Sequence, residues 1–194
     1  LVPVEKIFVI TNTEQRESVL ETCPSLLPNR VIVEPVGRDT AAAVGLAALL
    51  VEKEGEDAAF ALLPADHVIE DGAGFRSVLE SAFEAAEADE LLVTVGIKPT
   101  FPATGYGYLH RGKEVVGISS RSVSMVQRFV EKPDLEKAKE YVADGNYFWN
   151  AGMFVWRPRV ILAEIERLVP GLSSGLKELR ANWESSSSLE QAMN

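Results

Sequence analysis

Short apolar runs alternate with helix-like segments through the first half of the chain. The strand-like runs are KIFVITN, RVIVEP, AAFALLPAD and LLVTVGI, which begin at residues 6, 30, 58 and 91. Segments with apolar residues at helical spacing lie between them, as in residues 74–89. Because a parallel strand needs a long and usually helical crossover, this order predicts an α/β domain with a mostly parallel central sheet flanked by helices.

The second half of the chain is less regular. Residues 100–112 are rich in glycine and aromatic residues. Residues 122–133 alternate between apolar and polar residues, as in a strand with one solvent-exposed face, and residues 147–158 are again strand-like. Residues 134–145 carry the pattern of a capped helix that ends at Gly145. Since we find no internal repeat and no long linker, residues 1–194 are predicted to form a single domain.

Charge and cysteine content exclude several classes of protein. The chain has 194 residues and a net charge of −10, so it lacks the basic surface that binds nucleic acid or an anionic membrane. Its longest uncharged apolar run, residues 41–51, is far shorter than the roughly 20 residues of a membrane span. Cys23 is the only cysteine, which excludes an internal disulfide and favours a cytoplasmic protein.

Asp66 is the first candidate for chemistry, because it stands where the strand of AAFALLPAD ends. Ligands of open α/β sheets bind at the carboxyl ends of strands, where a carboxylate can hold a hard divalent cation and, through it, phosphates. His67 could be a further ligand, although magnesium prefers oxygen. The alternative is that Asp66 caps the next turn and that His67 packs against the core.

Residues 34–43, EPVGRDTAAA, form a second candidate. Gly37 permits a tight turn, Arg38 is a planar multiple donor, and Asp39 and Thr40 precede a helix whose first N–H groups are free to face a ligand. Backbone amides and Asp39 could read the edge of a purine there. A conventional helix N-cap explains the same residues without function.

Two strand-like stretches contain residues that do not suit a plain strand. Gly107 belongs to TGYGYL, in which paired glycines indicate a bulge or the close approach of a ligand to the backbone. Asn150 lies in the apolar stretch FWNAGMFVW, where its amide must find hydrogen bonds that a polyhydroxylated ligand could supply.

Glu131 and Lys132 are neighbours in VEKP, at the end of a strand-like run. If the strand continues through them, their side chains point to opposite faces and do not form an ion pair. One of the two would then face inward and need a partner, such as a ligand hydroxyl or phosphate. The end of an edge strand would explain the pair without function.

These motifs stand in one order, GRDTAAA, LPADHVI, TGYGYLHRG, RFVEKPD and WNAGMFVW, and in that order the chain resembles the bacterial mannose-1-phosphate guanylyltransferases. The resemblance implies a Rossmann-like nucleotidyltransferase fold that converts GTP and mannose 1-phosphate, with Mg²⁺, into GDP-mannose and pyrophosphate. It also implies roles for individual residues. These are the guanine pocket for Gly37, Arg38, Asp39, Thr40 and Ala41, the metal for Asp66, the mannose for Gly107, Glu131 and Asn150, and the sugar phosphate for Lys132.

Two departures from the family pattern bear on these roles. Asp39 stands where the family usually has Asn, and Ala42 where it usually has Pro, and both departures fall at the implied guanine contacts. The family also begins with a strand and a glycine-rich phosphate loop, and has a second metal-binding Asp further on. Neither is present here, so we expect a catalytic domain incomplete at both ends and inactive alone.

A missing first strand would leave an open sheet edge that could pair with a second copy of the chain in a homo-oligomer. Two other functions compete with guanylyl transfer to mannose 1-phosphate. One is transfer to another sugar 1-phosphate, and the other is a regulatory homologue that binds a nucleotide sugar without catalysis. An oxidoreductase is disfavoured because the dinucleotide glycine fingerprint is absent.

Overall fold

The structure is a computed structural model that describes residues 2–34, 40–55 and 57–185, with the side chains of residues 184 and 185 left aside. The chain divides into two compact units, the first comprising Leu1–Asp57 and Pro158–Asn194 and the second Ala58–Arg157. The elements in chain order are β1 (Val9–Thr11), α1 (Arg16–Thr22), β2 (Val31–Val33), α2 (Thr40–Lys53), β3 (Phe60–Leu62), α3 (Gly72–Ala88), β4 (Val93–Ile97), β5 (Tyr108–Val115), β6 (Val123–Val130), α4 (Leu135–Asp144), β7 (Tyr147–Trp156), α5 (Pro158–Leu168) and α6 (Pro170–Ser185).

The first unit combines a parallel strand pair with a helical core. Strands β1 and β2 pair in parallel, with Val9 opposite Val31. Helix α2 contacts both α5 and α6, and all of residues 44–50 are buried. A helix with buried residues on every side needs an apolar sequence all round, which the alanine- and leucine-rich sequence of α2 provides.

The second unit holds a five-stranded sheet built around β7. One edge of β7 pairs with β4, and the other pairs with β3 near Trp156 and with β5 near Trp149. Strand β6 pairs with β5, and all of these pairs are antiparallel. The α/β class is confirmed, but the predicted mostly parallel pairing is not what these strands adopt. Strands β3 and β4, which helix α3 connects, do run in the same direction, as the alternation of strands and helices in the sequence indicated. They are not paired with each other, because β7 lies between them.

Helix α4 covers one face of this sheet. It begins after Asp134, whose carboxylate accepts a hydrogen bond from the third backbone N–H beyond it, and ends at Gly145, which has φ 76°. The predicted capped helix is therefore confirmed. Tyr141 of α4 packs against Tyr108 and Trp149, which are neighbours across β5 and β7. Side chains alternate along a strand, so the residues before Tyr108 and after Trp149 face away from α4.

The turn between β5 and β6 is fastened to α3. The Ser120 N–H donates to Glu84 Oε2 at 2.6 Å, and the hydroxyls of Ser120 and Ser81 lie 2.9 Å apart. The hydrogen bonds from the backbone and hydroxyl of Ser120 lower the pKa of the Glu84 carboxyl. The other end of this hairpin, at Gly107 and Glu131, lies at the opposite end of strands β5 and β6 from the anchored turn.

No helix among the described residues is long and apolar enough to span a lipid bilayer.

Gly45 allows α2 and α6 to pack closely. A Cβ at this position would lie 2.5 Å from Leu176 Cδ1, and Leu176 is itself buried. We predict that Gly45→Ala lowers the unfolding free energy by about 1 kcal/mol, because the overlap outweighs the better helix propensity of alanine. Gly175→Ala is the matched control, since nothing lies within 4 Å of a Cβ there, and it should raise stability. Urea unfolding of both variants measures this, and a stabilised Gly45→Ala would contradict the packing.

Candidate functional site

Three of the residues that the sequence singled out meet in one row across the sheet. If the register of β5 with β6 and β7 is continued one residue before Tyr108, Gly107 lies between Glu131 and Asn150. The Asn150 N–H donates to the Gly107 carbonyl oxygen at 2.8 Å, which confirms this placement. On its other side Asn150 pairs with Gly96 of β4. We call Glu131, Gly107, Asn150 and Gly96 the site row.

Gly107 leaves space that the Glu131 side chain fills. A Cβ on Gly107 would lie 3.0 Å from Glu131 Oε2 and 2.9 Å from Phe129 Cζ. The Glu131 carboxylate therefore lies over the backbone of Gly107. The row faces away from α4, and its members differ in exposure, since Gly107 is buried, Asn150 is half-buried, and Gly96 and Glu131 are exposed. The row therefore combines a carboxylate and an amide with two glycines.

Glu131 and Lys132 form an ion pair, and the prediction that they do not was wrong. Lys132 Nζ lies 3.5 Å from Glu131 Oε1, with side chains 64% and 59% exposed. Strand β6 ends at Val130, so the alternation assumed for these residues no longer applies to them. Lys132 has φ 42°, the single positive φ among the described residues other than glycine. Neither side chain faces inward, so both are accessible to a ligand.

Asp66 lies in the turn that follows β3, with its carboxylate 87% exposed. The one titratable side chain that lies within 4 Å of this carboxylate among the described residues is His67, whose Nε2 lies 3.8 Å from Asp66 Oδ1. Helix α3 is capped by Asp71, whose carboxylate accepts from the Gly74 N–H at 2.8 Å, and not by Asp66. The imidazole of His67 is partly exposed and does not pack in the core.

The Asp66 turn contacts β7 next to the site row. A Cβ on Gly152 would lie 3.5 Å from Pro64 Cγ, and Pro64 stands two residues before Asp66. The described part of the chain contains no group of three or more His, Cys, Asp and Glu side chains that could hold a metal by themselves. A single exposed carboxylate still suits Mg²⁺, which keeps several waters and takes other ligands from substrate phosphates.

The residues that the resemblance assigns to the guanine pocket either belong to the first unit or fall outside the described residues. Gly37, Arg38 and Asp39 are not among the described residues. Thr40 and Ala41 form the first turn of α2, and both are exposed. The first N–H groups of a helix have no partner within it, so they bind either a cap or a ligand.

Two residues beside Asn150 were not singled out from the sequence. Thr94 of β4 places its hydroxyl 3.0 Å from Asn150 Oδ1, and Gly152 directs its N–H to the same oxygen at 3.2 Å. Thr94 did carry a signal, because it is the one hydrogen-bonding side chain in the apolar run LLVTVGI. Gly152 has φ 67°, a conformation that favours glycine, and this could not be read from WNAGM.

Comparison with known proteins decides the family. The sequence model of the nucleotidyl transferase family matches residues 1–191. The chain belongs to the nucleotidyl transferase family. The resemblance drawn from its motifs is thereby confirmed, as is the fold class.

The chain is similar over most of its length to several nucleotidyl transferase relatives. The xanthan biosynthesis protein XanB of Xanthomonas campestris pv. campestris (strain B100) is 40% identical over 91% of this chain and 36% of its own length. The mannose-1-phosphate guanylyltransferase of Sinorhizobium fredii is 45% identical over 87% of this chain and 33% of its own. The enzyme of that name from Escherichia coli (strain K12) is 42% identical over 88% and 36%.

A solved structure has the same fold. A Thermus thermophilus protein, described as a mannose-1-phosphate geranyltransferase, matches all of this chain and 53% of its own with TM-score 0.83 and 35% identity. Against the curated relatives, this chain spans about a third of their length.

Proposed function

We propose that the chain is part of a mannose-1-phosphate guanylyltransferase, and that the intact protein converts GTP and mannose 1-phosphate into GDP-mannose and pyrophosphate. Relatives of that name are 42–45% identical to it. The observation that carries the proposal is the site row, which places the exposed Glu131 carboxylate and the half-buried Asn150 amide on one face of the sheet, with Gly107 between them. A polyhydroxylated sugar binds where hydrogen-bond acceptors and donors are spaced so that they reach different hydroxyl groups.

Sugar recognition falls to Glu131 and Asn150, with Gly107 between them. An ionised carboxylate only accepts hydrogen bonds, so Glu131 binds sugar hydroxyls through their protons. Strands in a sheet lie about 4.8 Å apart, so the backbones of Glu131 and Asn150 are separated by roughly 10 Å. A ligand can contact both side chains across that interval, in which the Glu131 carboxylate already lies over Gly107.

Lys132 forms an ion pair with Glu131 of this row and is proposed to hold the sugar phosphate. Its ammonium is already within 3.5 Å of Glu131, so it can approach a phosphate that lies beside the bound sugar. The reaction is an attack by an oxygen of mannose 1-phosphate on the α-phosphorus of GTP. A new oxygen–phosphorus bond forms, and the bond to the β-phosphate breaks with its electron pair leaving on pyrophosphate. Orientation of the two phosphates and neutralisation of their charge supply the rate enhancement.

Nucleotidyltransferases of this family generally use a divalent metal. We propose Mg²⁺ as that metal and Asp66 as the residue that holds it. Bound Mg²⁺ neutralises phosphate charge and orients the triphosphate. Asp66 suits this role because its carboxylate is exposed, caps no helix and has no cationic Lys or Arg neighbour among the described residues.

The turn from Gly37 to Ala41 is proposed to form the guanine pocket, with the start of α2 supplying free N–H donors. We also propose a cytoplasmic location, where nucleoside triphosphates are made and where the lone, exposed Cys23 stays reduced.

Asp66→Asn tests both the function and the metal site, because it keeps the shape of the side chain and removes its charge. In the intact protein we expect pyrophosphate release from GTP and mannose 1-phosphate, and a loss of kcat on the order of 100-fold in Asp66→Asn. Glu70→Gln removes another exposed carboxylate in the same loop and should behave as wild type.

The two parts of this experiment fail in different ways. Wild-type protein that makes no GDP-mannose, or that prefers another nucleotide or sugar phosphate, overturns the proposed function. Normal turnover and an unchanged Mg²⁺ dependence in Asp66→Asn overturn the metal assignment alone.

Gly107→Ala should weaken sugar binding, because the added methyl group displaces the Glu131 carboxylate. We expect the KM for mannose 1-phosphate to rise about tenfold, equivalent to one charge-assisted hydrogen bond, with the KM for GTP unchanged. Gly105→Ala is the matched control, since nothing lies within 4 Å of a Cβ there and its φ is not positive. Steady-state kinetics with each substrate varied in turn measures the split, and equal effects in both variants would contradict this role of Gly107.

A further inference from the structure

Strand β7 bulges directly beside Asn150. Opposite β4, Thr94 pairs with Phe154 and Gly96 pairs with Asn150, so one residue of β4 faces three residues of β7. Gly152 lies in the middle of these three and has φ 67°. Because the bulge adds two residues, Asn150 and Phe154 stay on the same face of the sheet as Thr94.

The bulge fixes the orientation of the Asn150 amide. The Gly152 N–H lies 3.2 Å from one end of that amide, and a backbone N–H can only donate. The end that faces it must therefore be the oxygen, Oδ1. The Thr94 hydroxyl lies 3.0 Å from the same oxygen, so two groups of the protein hold the acceptor end of Asn150.

The donor end of Asn150 is left free. Its amide nitrogen makes no hydrogen bond to another residue in the part of the chain that the structure describes. An amide carries its two N–H donors at that end, on the opposite side from Oδ1. Asn150 therefore presents hydrogen-bond donors, and no acceptor, to whatever binds over the site row.

Thr94 is itself held in place. Its hydroxyl lies 3.1 Å from the Met153 carbonyl oxygen as well as 3.0 Å from Asn150 Oδ1, so its single proton is shared between two acceptors on β7. Threonine is β-branched and stiff at χ1, which keeps the hydroxyl at this position without the help of a ligand.

We propose that Thr94 is a positioning residue, which with the Gly152 N–H holds Asn150 so that it donates to an oxygen of the bound sugar. This deepens the proposed function, on which it rests for the identity of the ligand. The two ends of the site row then differ in hydrogen-bonding role, because Glu131 accepts a hydrogen bond from a sugar hydroxyl and Asn150 donates one to a sugar oxygen. A ligand with hydroxyl groups at both ends satisfies both residues, whereas one with only donors at the Asn150 end does not.

Thr94→Val tests the geometry in the absence of any ligand, since valine has the shape of threonine without the hydroxyl. In the intact protein labelled with ¹⁵N, we expect the side-chain NH₂ resonances of Asn150 to shift in Thr94→Val. Thr94→Ser keeps the hydroxyl and should leave them close to their wild-type positions. Unchanged Asn150 resonances in Thr94→Val would overturn the positioning role, whatever reaction the protein catalyses.

Kinetics with mannose 1-phosphate tests the consequence for binding. Thr94→Val should raise the KM for mannose 1-phosphate about fivefold, the effect of one neutral hydrogen bond, with kcat and the KM for GTP unchanged. Thr94→Ser should restore the wild-type KM.

A double-mutant cycle separates positioning from a general structural effect. If Thr94 acts through Asn150, Thr94→Val should cost nothing further in an Asn150→Ala background. An additive loss in the double variant would overturn the proposal. A wild-type protein without activity on mannose 1-phosphate would overturn the proposed function instead, and the resonances of Asn150 would still decide the role of Thr94.

Discussion

The hydrogen-bonded ladder of β7 is the constraint on which the second unit depends. This strand pairs with β4 along one edge and with β3 and β5 along the other, so segments from distant parts of the chain meet on it. The bond from the Asn150 N–H to the Gly107 carbonyl is one rung of this ladder, and it brings two motifs that are distant in the sequence into contact. Ligand-binding residues placed on a paired strand are held more rigidly than residues on a free loop.

The ladder also separates the two faces of the sheet. Trp149 and Tyr108 face α4 and form an aromatic core with it, whereas Asn150 and Gly107, one residue along each chain segment, face the other way. Burial on the α4 side holds the register, since a slip of one residue would expose Trp149 and bury Asn150. The stability of the core and the geometry of the site are thus two consequences of one register.

Much of this arrangement could be predicted from the sequence, but not its connectivity. The strand ending at Asp66, the capped helix at residues 134–145 and the candidates Gly107, Glu131 and Asn150 all follow from local patterns. That β7 lies between β3 and β4 could not be predicted, because periodicity reports which face of a strand is buried and not which strand lies beside it. Periodicity also does not report where a strand ends. The error at Glu131 and Lys132 arose because the alternation of side chains between the two faces was extended past the last residue of β6. Thr94 was missed because its importance comes from a bulge in another strand.

A crystal structure of the intact protein with GDP-mannose tests the central claim most directly. We predict that the mannose lies between Glu131 and Asn150, with a sugar hydroxyl within hydrogen-bond distance of the Glu131 carboxylate and a sugar oxygen facing the Asn150 amide nitrogen. Two results would contradict this prediction. One is mannose bound elsewhere, and the other is an Asn150 amide that turns its oxygen to the sugar and away from the Thr94 hydroxyl.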